Sequence, residues 1–159
     1  MLYQRDEPGI ANAFQAASAT LMLASHQRLL RQPLLPLAED GAAARALYDA
    51  PFVALAHDSA ADPVFFYANR KAQELFEMNW EEMVRLPSRH SAEPLARAER
   101  QRLLDQVARH GYIDDYSGVR ISKTAKRFLI ERASVWNLLD ASGQVVGQAA
   151  SFANWIPLD

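Results

Sequence analysis

Cysteine is absent from the 159-residue chain. Its absence excludes disulfide bonds, thiolate metal sites, cysteine nucleophiles and any photochemical adduct that forms on a cysteine sulfur. A cysteine-free composition fits a cytoplasmic protein, and we expect that location. The chain also lacks P-loop, GxSxG, HExxH and GxGxxG arrangements, so the sequence predicts no catalytic residue and no metal ligand.

Long apolar runs and a strong charge of one sign are missing as well. No stretch approaches the roughly 18 consecutive apolar residues of a membrane-spanning helix. The first residues, MLYQRDEPG, carry charges and a proline where a signal peptide requires an apolar segment. The formal charge of −2 gives no general attraction to nucleic acid or to an anionic membrane. We therefore expect a soluble, unexported protein that binds neither a membrane nor nucleic acid.

The most informative segment is VFFYANRKAQELFEMNWEEMVRL, residues 64–86. Its first five residues form the continuous apolar run of a buried strand. Asn69 follows at a position where its side chain can cap a helix. Asn79 and Glu82 have the spacing of a capping box, which marks the start of a second helix. The segment predicts a strand followed by two short helices.

The N-terminal third predicts helices. Residues 1–11 show no periodicity, which is typical of a loose tail. Residues 12–31 place apolar side chains on one stripe of a long amphipathic helix, and residues 41–50 form a shorter one. Together, residues 12–50 form a helical extension. We expect it to cover the outer face of a sheet, or the same face of a partner chain.

The remainder predicts a sheet and one more helix. A strand is expected at residues 51–57, and the helical pattern returns between residues 91 and 111. Three strands follow at residues 112–122, 126–139 and 144–155. Because short hairpin turns join these three, they are antiparallel neighbours. Together, these elements predict an α+β domain with helices on one face of a five-stranded antiparallel sheet.

Four segments closely resemble the MEKHLA domain, a PAS-related module found in small stand-alone bacterial proteins and at the C-terminus of plant class III homeodomain-leucine-zipper factors. They are DPVFFYANRKAQELFEMNWEEM, LPSRHSAEP, GYIDDYSGVRISKTAKRF and VWNLLDASGQVVGQAASFANW. The resemblance reaches back into SHQRLLRQPL. It implies a PAS-like core over residues 51–156 with strand order 2-1-5-4-3, and a sensory or regulatory role whose ligand is not established.

The same stretch is similar to the flavin-binding branch of the PAS superfamily. By this similarity, Ser88 occupies the site of the flavin-reactive cysteine, and Arg89 matches the arginine of that motif. The amides that hold a flavin fall at Arg120, Ile130 and Phe152, none of which supplies an amide's paired donor and acceptor. Each unsatisfied flavin edge atom costs roughly 1–3 kcal/mol, so we do not expect flavin.

Haem is not expected either, which leaves the cofactor unknown. His90 and His110 are the histidines on the helical side of the expected core, where PAS proteins carry haem ligands. Neither has supporting spacing.

Arg120 and Arg132 are the main candidates for contact with a ligand. The alternation that points Phe128 and Ile130 inward also points Arg132 inward, and the flavoprotein similarity does the same for Arg120. A buried guanidinium needs an anion. That anion is a protein carboxylate, or a bound carboxylate or phosphate, and the sequence leaves both alternatives open.

Asn69 and five aromatic residues complete the candidate pocket. Capping explains Asn69 fully, and ligand contact is the alternative. The aromatic residues either line a pocket or pack in an ordinary core. They are Phe66, Phe76, Tyr116, Trp136 and Phe152.

A cluster of positive charges lies around the first hairpin, at Arg120, Lys123, Lys126 and Arg127. Such a cluster can bind phosphate, but solvated charge at a sheet edge also prevents edge-to-edge pairing. We expect the second role.

Three functions remain open. The first is a cytoplasmic PAS-like regulatory module that binds a small molecule and forms a homodimer through its N-terminal helix and outer sheet face. The second is a ligand-free dimerisation or docking module, which a core with no pocket above roughly 300 Å³ would favour. The third, ranked last, is a small cone-shaped α+β enzyme, because the strands offer few acid or base groups. We expect no enzymatic activity.

Overall fold

A computed structural model describes residues 5–36 and 42–158, with the side chains of residues 94–96 left undescribed. The helices of the described chain are α1 (Ala16–Leu30), α2 (Ala42–Tyr48), α3 (Arg70–Phe76), α4 (Trp80–Met83) and α5 (Pro94–His110). The strands are β1 (Val53–Asp58), β2 (Phe65–Ala68), β3 (Tyr112–Ile121), β4 (Arg127–Leu139), β5 (Val145–Phe152) and β6 (Asn154–Pro157). None of these helices combines the length and apolar character that crossing a membrane requires.

The strands form one antiparallel sheet in the order β2-β1-β5-β4-β3, which confirms the predicted order. The predicted strand at residues 144–155 is instead two strands, β5 and β6, separated at Ala153. Both pair with β4, which is long enough to carry β6 along its first half and β5 along its second. The prediction of an α+β domain is confirmed.

The two short helices after β2 start as the sequence predicts. The Oδ1 atom of Asn69 accepts a hydrogen bond from the backbone N of Ala72, which caps α3. Asn79 and Glu82 exchange both hydrogen bonds of a capping box at the start of α4. Each cap satisfies backbone donors that the first helical turn leaves free.

The N-terminal segment is packed rather than loose from Arg5 onward. The guanidinium Nη1 of Arg5 donates to the carbonyls of Phe65 (2.8 Å) and Val84 (2.9 Å). The carbonyl of Arg5 in turn accepts from the indole Nε1 of Trp80 at 2.7 Å. The segment therefore joins β2 to the end of α4. Residues 1–4 of the predicted tail lie outside the described chain, and the division into tail, extension and core stays a prediction.

Helix α1 starts at Ala16, four residues later than predicted. The three residues before it, from Ala13 to Gln15, have φ between 51° and 57°. A right-handed helix cannot run through left-handed backbone, so the earlier residues form only one turn of 3₁₀ helix at Ile10–Asn12.

Helices α1 and α2 cover the face of the sheet that carries Trp136 and Leu138, here called the outer face. The indole Nε1 of Trp136 donates to the carbonyl of Met22 at 3.2 Å, and the ring of His26 meets Trp136 edge-on. Ser25 Oγ accepts from the backbone N of Leu139 at 2.9 Å. The helical extension thus lies on the sheet of its own chain, the first of the two expected placements.

The opposite, inner face packs against α3, α4 and α5. Phe76 of α3 meets Phe128 of β4 edge-on, with ring centroids 5.3 Å apart. Beneath α5, Leu103 and Val107 pack on Val135. Both faces of the sheet are therefore buried, and the inner layer is the one that encloses the candidate site.

Candidate functional site

An inner cavity of about 50 Å³ lies between the inner face of the sheet and the helices α3 and α5. All five strands of the main path contribute to its walls. Its apolar lining consists of Leu55, Phe65, Phe76, Leu103, Leu104, Ile130, Val135, Ala149, Ala150 and Phe152. Its polar lining consists of His57, Ser91, Arg100, Tyr116, Arg120 and Gln148. No carboxylate from the described chain belongs to this lining.

Two buried arginines face the cavity. Arg100 is 6% exposed and Arg120 is 9% exposed. Arg120 donates through Nη1 to the carbonyl of Val119 (2.8 Å) and through Nη2 to the Tyr116 hydroxyl (3.3 Å). Arg100 makes no hydrogen bond or ion pair within the described ranges, and Arg120 has no carboxylate partner there. The two guanidinium charges are thus uncompensated by the described protein.

Burial lowers the pKa of Arg100. The pKa of its guanidinium is lowered to about 10, chiefly by loss of solvent and also by the nearby positive charge of Arg120. The group still carries its charge at neutral pH. A buried charge without a partner is costly, because solvation is lost with no attraction to replace it.

Gly118 allows Tyr116 to reach Arg120. A Cβ atom on Gly118 would lie 2.2 Å from the Tyr116 hydroxyl, so only glycine leaves room for the ring along the strand. The Arg120 guanidinium then lies over that ring, 5.5 Å from its centroid. Tyr116 holds Arg120 in place without neutralising it.

His57 is the third polar group of interest, and it is 7% exposed. Its Nδ1 lies 2.8 Å from the carbonyl of Asp58, while its buried Nε2 has no partner in the described chain. The pKa of His57 is lowered to about 4, chiefly by burial, with Asp58 opposing the shift and the charge of Arg100 adding to it. The ring is neutral at pH 7, and with Nδ1 donating to Asp58, Nε2 is a free acceptor.

Two side-chain amides fasten the second half of α5 to the sheet. Gln148 donates to the carbonyl of Leu104 at 3.0 Å and to Asn137 Oδ1 at 3.2 Å. Asn137 donates to the carbonyl of Val107 at 3.0 Å. Arg100 lies one turn before this fastened part of α5.

A surface cleft of about 260 Å³ adjoins the inner cavity beside α5. His57, Leu104 and Gln148 line both spaces and form the wall between them.

Five predicted pocket residues line the inner cavity, namely Phe76, Tyr116, Arg120, Ile130 and Phe152. The others lie elsewhere. Phe66 and Trp136 are buried on the outer side of the sheet beneath the N-terminal helices. Ser88 is buried outside the cavity lining, with its hydroxyl unpaired within the described chain. Arg89 is exposed and pairs with Asp62 at 3.0 Å.

Asn69 is fully buried and acts as a junction instead of a ligand contact. Its Oδ1 accepts from Ala54 and Ala72, and its Nδ2 donates to the carbonyls of Leu47 and Phe52. These four hydrogen bonds join α2, β1 and α3 through one side chain. The predicted capping role is confirmed.

The prediction that Arg132 points inward is wrong. Arg132 is exposed, and its φ of 51° interrupts the alternation of β4. Ile130 on one side of it and Ala133 on the other both pack in the inner core. This single shift of parity also turns Trp136 to the outer face.

Three of the positive charges around the first hairpin form ion pairs. Lys123 pairs with Glu82, Lys126 with Glu77 and Arg127 with Glu93, all acids of the helical side. These ion pairs hold the described hairpin against α3 and α4, whereas the side chain of Arg120 lines the cavity.

Arg100, His57 and Gln148 escaped the sequence-based prediction. One signal for Arg100 was available, because residues 100, 103 and 107 share one face of a helix and the last two are apolar. Likewise, His57 stands two residues after Leu55 on the inward side of β1. Within the described chain, no cluster of three or more His, Cys, Asp or Glu is arranged to hold a metal ion.

The MEKHLA domain family model matches residues 16–157. A search of curated proteins finds no match. Among solved structures, the PAS domain of a protein from Colwellia psychrerythraea has a TM-score of 0.59 at 14% identity, covering 72% of this chain and 92% of that chain. A fungal light-oxygen-voltage photoreceptor domain has a TM-score of 0.58 at 17% identity, covering 90% and 95%. A light-oxygen-voltage domain connected with a flavin analogue has a TM-score of 0.53 at 18% identity, covering 76% and 87%.

These likenesses show a PAS fold. The flavin of light-oxygen-voltage domains does not fit the residues found here. An isoalloxazine ring system is several times larger than a cavity of about 50 Å³, and the side chains of Ile130 and Phe152 line that cavity where a flavin would need amides.

Proposed function

The chain belongs to the MEKHLA domain family, and from this we propose that it is a sensory or regulatory domain that binds a small molecule in its inner cavity. The proposal places it in the cytoplasm and gives it no catalytic role. What supports it most is the unpaired polar lining of the cavity, since Arg100 and Arg120 bury charge that the described protein does not balance. Such groups are costly unless a ligand completes them.

A route for the signal leads from α5 to α1. Arg100 lies on α5, whose later turns are held by Asn137 and Gln148. The neighbour of Asn137, Trp136, bonds on the opposite face to Met22 of α1. A shift of α5 on ligand binding would therefore act through β4 on α1.

The first test is native mass spectrometry, with an absorption spectrum, of protein purified from its own cell. A cavity-filling variant, Ala150→Leu, provides the contrast, because Ala150 lines the cavity. Ala153→Leu is the matched control at an exposed position between β5 and β6. We expect a bound small molecule in the wild type and in Ala153→Leu, and its loss in Ala150→Leu. A wild-type protein that carries no molecule and is stabilised by none of a broad metabolite set would contradict the proposal.

A second candidate, a ligand-free dimerisation or docking module, is favoured by one observation. The inner cavity, at about 50 Å³, falls below the roughly 300 Å³ typical of ligand pockets. In that case Ala150→Leu would stabilise the fold and leave every partner contact intact.

Both candidates include a homodimer, and α1 is the element that would form it. The chain's own α1 covers the outer sheet face, so the proposed contact uses the exposed side of that helix, around Ala24. Light scattering on the wild type and on Ala24→Arg tests this. A monomeric wild type, or a dimer that Ala24→Arg leaves unchanged, would exclude a dimer through α1.

A further inference from the structure

We infer that the ligand of the inner cavity is a small carboxylate, bound between the guanidinium groups of Arg100 and Arg120. This inference rests on the proposed function, because it names the chemical class of molecule that the cavity binds. Among the described residues, it comes from the one place where buried cations, a cavity and a lack of protein acids coincide.

The charge of the cavity selects an anion. Arg100 is 94% buried, faces the cavity and has no partner in the described chain, and Arg120 spends its bonds on a carbonyl and a hydroxyl. A guanidinium presents paired donors that match the two oxygens of a carboxylate. The charged groups that face these arginines are each other, with neutral Tyr116 and His57 beside them. A bound carboxylate would supply the missing negative charge.

The rest of the lining favours a ligand with a short apolar chain and disfavours phosphate. Most of the wall is aliphatic or aromatic, including Leu55, Phe76 and Phe152. A phosphate carries oxygens on all sides and would leave some of them against apolar carbon. A cavity of about 50 Å³ exceeds the roughly 10–15 Å³ needed for one water, which is room for a few heavy atoms. Carboxylates of two to four carbons meet both conditions.

The test is isothermal titration calorimetry on the full chain at pH 7 and fixed ionic strength. The probes are acetate, propionate and butyrate, their neutral amides, and inorganic phosphate. We expect at least one carboxylate to bind tenfold or more tightly than its amide and than phosphate. Tighter binding of phosphate would overturn the carboxylate assignment.

Variants then locate the site. Arg100→Met and Arg120→Met are expected to weaken the carboxylate at least tenfold. The control is Arg102→Met, which removes the same charge from an exposed position on the same helix and should leave affinity within twofold. Equal losses in Arg100→Met and Arg102→Met would overturn the inference, because they would reflect net charge alone. Arg100→Lys keeps the charge without the paired donors and is expected to be intermediate.

Thermal unfolding adds a readout that a structural role would not give. Removing an uncompensated buried charge should raise the Tm of Arg100→Met without ligand, while the carboxylate should no longer raise it. A lower Tm without ligand in both Arg100→Met and Arg100→Lys would assign Arg100 to the fold and overturn the inference.

The two proposals fail separately. Neutral amides that bind as tightly as carboxylates, and are blocked by Ala150→Leu, would overturn the carboxylate and leave a ligand-sensing cavity in place. If no probe binds and purified protein carries no molecule, both proposals are overturned.

Discussion

A single amide, Asn69, joins three elements of the fold. Because three of its four hydrogen bonds are buried and the fourth is partly buried, its loss would leave the backbone N–H groups of Ala54 and Ala72 without this acceptor and would remove a donor from the carbonyls of Leu47 and Phe52. Unsatisfied buried groups cost roughly 1–3 kcal/mol each, although their costs do not add fully.

We therefore expect Asn69→Ala to lower the free energy of unfolding by about 3–5 kcal/mol. Urea denaturation measures this change. The matched control is Asn79→Ala, which removes an exposed helix cap and should cost about 1 kcal/mol. Equal costs for the two variants would mean that Asn69 is only a cap.

The other residue-scale prediction concerns His57 and acid stability. Its pKa is lowered from 6.5 to about 4 in the folded protein, chiefly by burial. The unfolded chain therefore binds a proton at His57 more readily than the folded chain does. The contribution of neutral His57 to the free energy of unfolding is fully present above pH 6.5 and is lost as the pH falls toward 4. The full loss from this group is roughly 3 kcal/mol.

His57→Gln should flatten that part of the stability curve relative to the wild type. Denaturant midpoints measured at intervals from pH 7.5 to pH 4 provide the comparison. His110→Gln, at an exposed position, should follow the wild-type slope. If His57→Gln also follows it, His57 does not titrate between the two states.

At the scale of elements, the contact between α1 and β4 is one of those that cover the outer face. Ser25 gives it a specific hydrogen bond, since its Oγ is the acceptor for the backbone N of Leu139. Ser25→Ala leaves that N–H without a partner in a buried layer. We expect a loss of about 1–3 kcal/mol in stability.

Hydrogen exchange at the amide of Leu139 should accelerate in Ser25→Ala by more than global destabilisation explains. Thr20→Ala changes an exposed position on the same helix and should stay within about 0.5 kcal/mol of the wild type. An unchanged amide at Leu139 would show that the hydrogen bond does not hold α1 in place.

The elements that the sequence predicted well depend on local chemistry. The caps at Asn69 and Asn79 involve neighbours within a few residues. By contrast, the kink at Arg132 depends on contacts between distant strands. No local pattern marks it, so a regular alternation extended along β4 places Arg132 on the wrong face.

At the scale of the whole molecule, the first described residues contact elements far along the chain. Arg5 bonds to the carbonyls of Phe65 and Val84, and it lies 3.5 Å from the carboxylate of Asp58. No pattern in the first eleven residues predicts these contacts of Arg5, because the acceptors are backbone carbonyls of elements far along the chain. Arg100 differs, because its helical spacing with Leu103 and Val107 marks it as inward-facing, but the place where α5 meets the sheet is not set by local sequence.

Arg5→Ala should lower the free energy of unfolding by about 1–3 kcal/mol, since two backbone carbonyls lose their charged donor. Thermal unfolding and limited proteolysis of the N-terminus both report on this change. Arg31→Ala removes an exposed arginine at the end of α1 and serves as the control. If the two variants behave alike, the N-terminal segment contributes nothing specific.

The unpaired guanidiniums of Arg100 and Arg120 have a consequence for the protein's lifetime in a cell. If the proposed anion binds between them, it would hold the chain folded by mass action, whereas the empty chain would open more often and be exposed to proteases. Its abundance would then rise and fall with the metabolite supply, so degradation itself would report how much ligand is available.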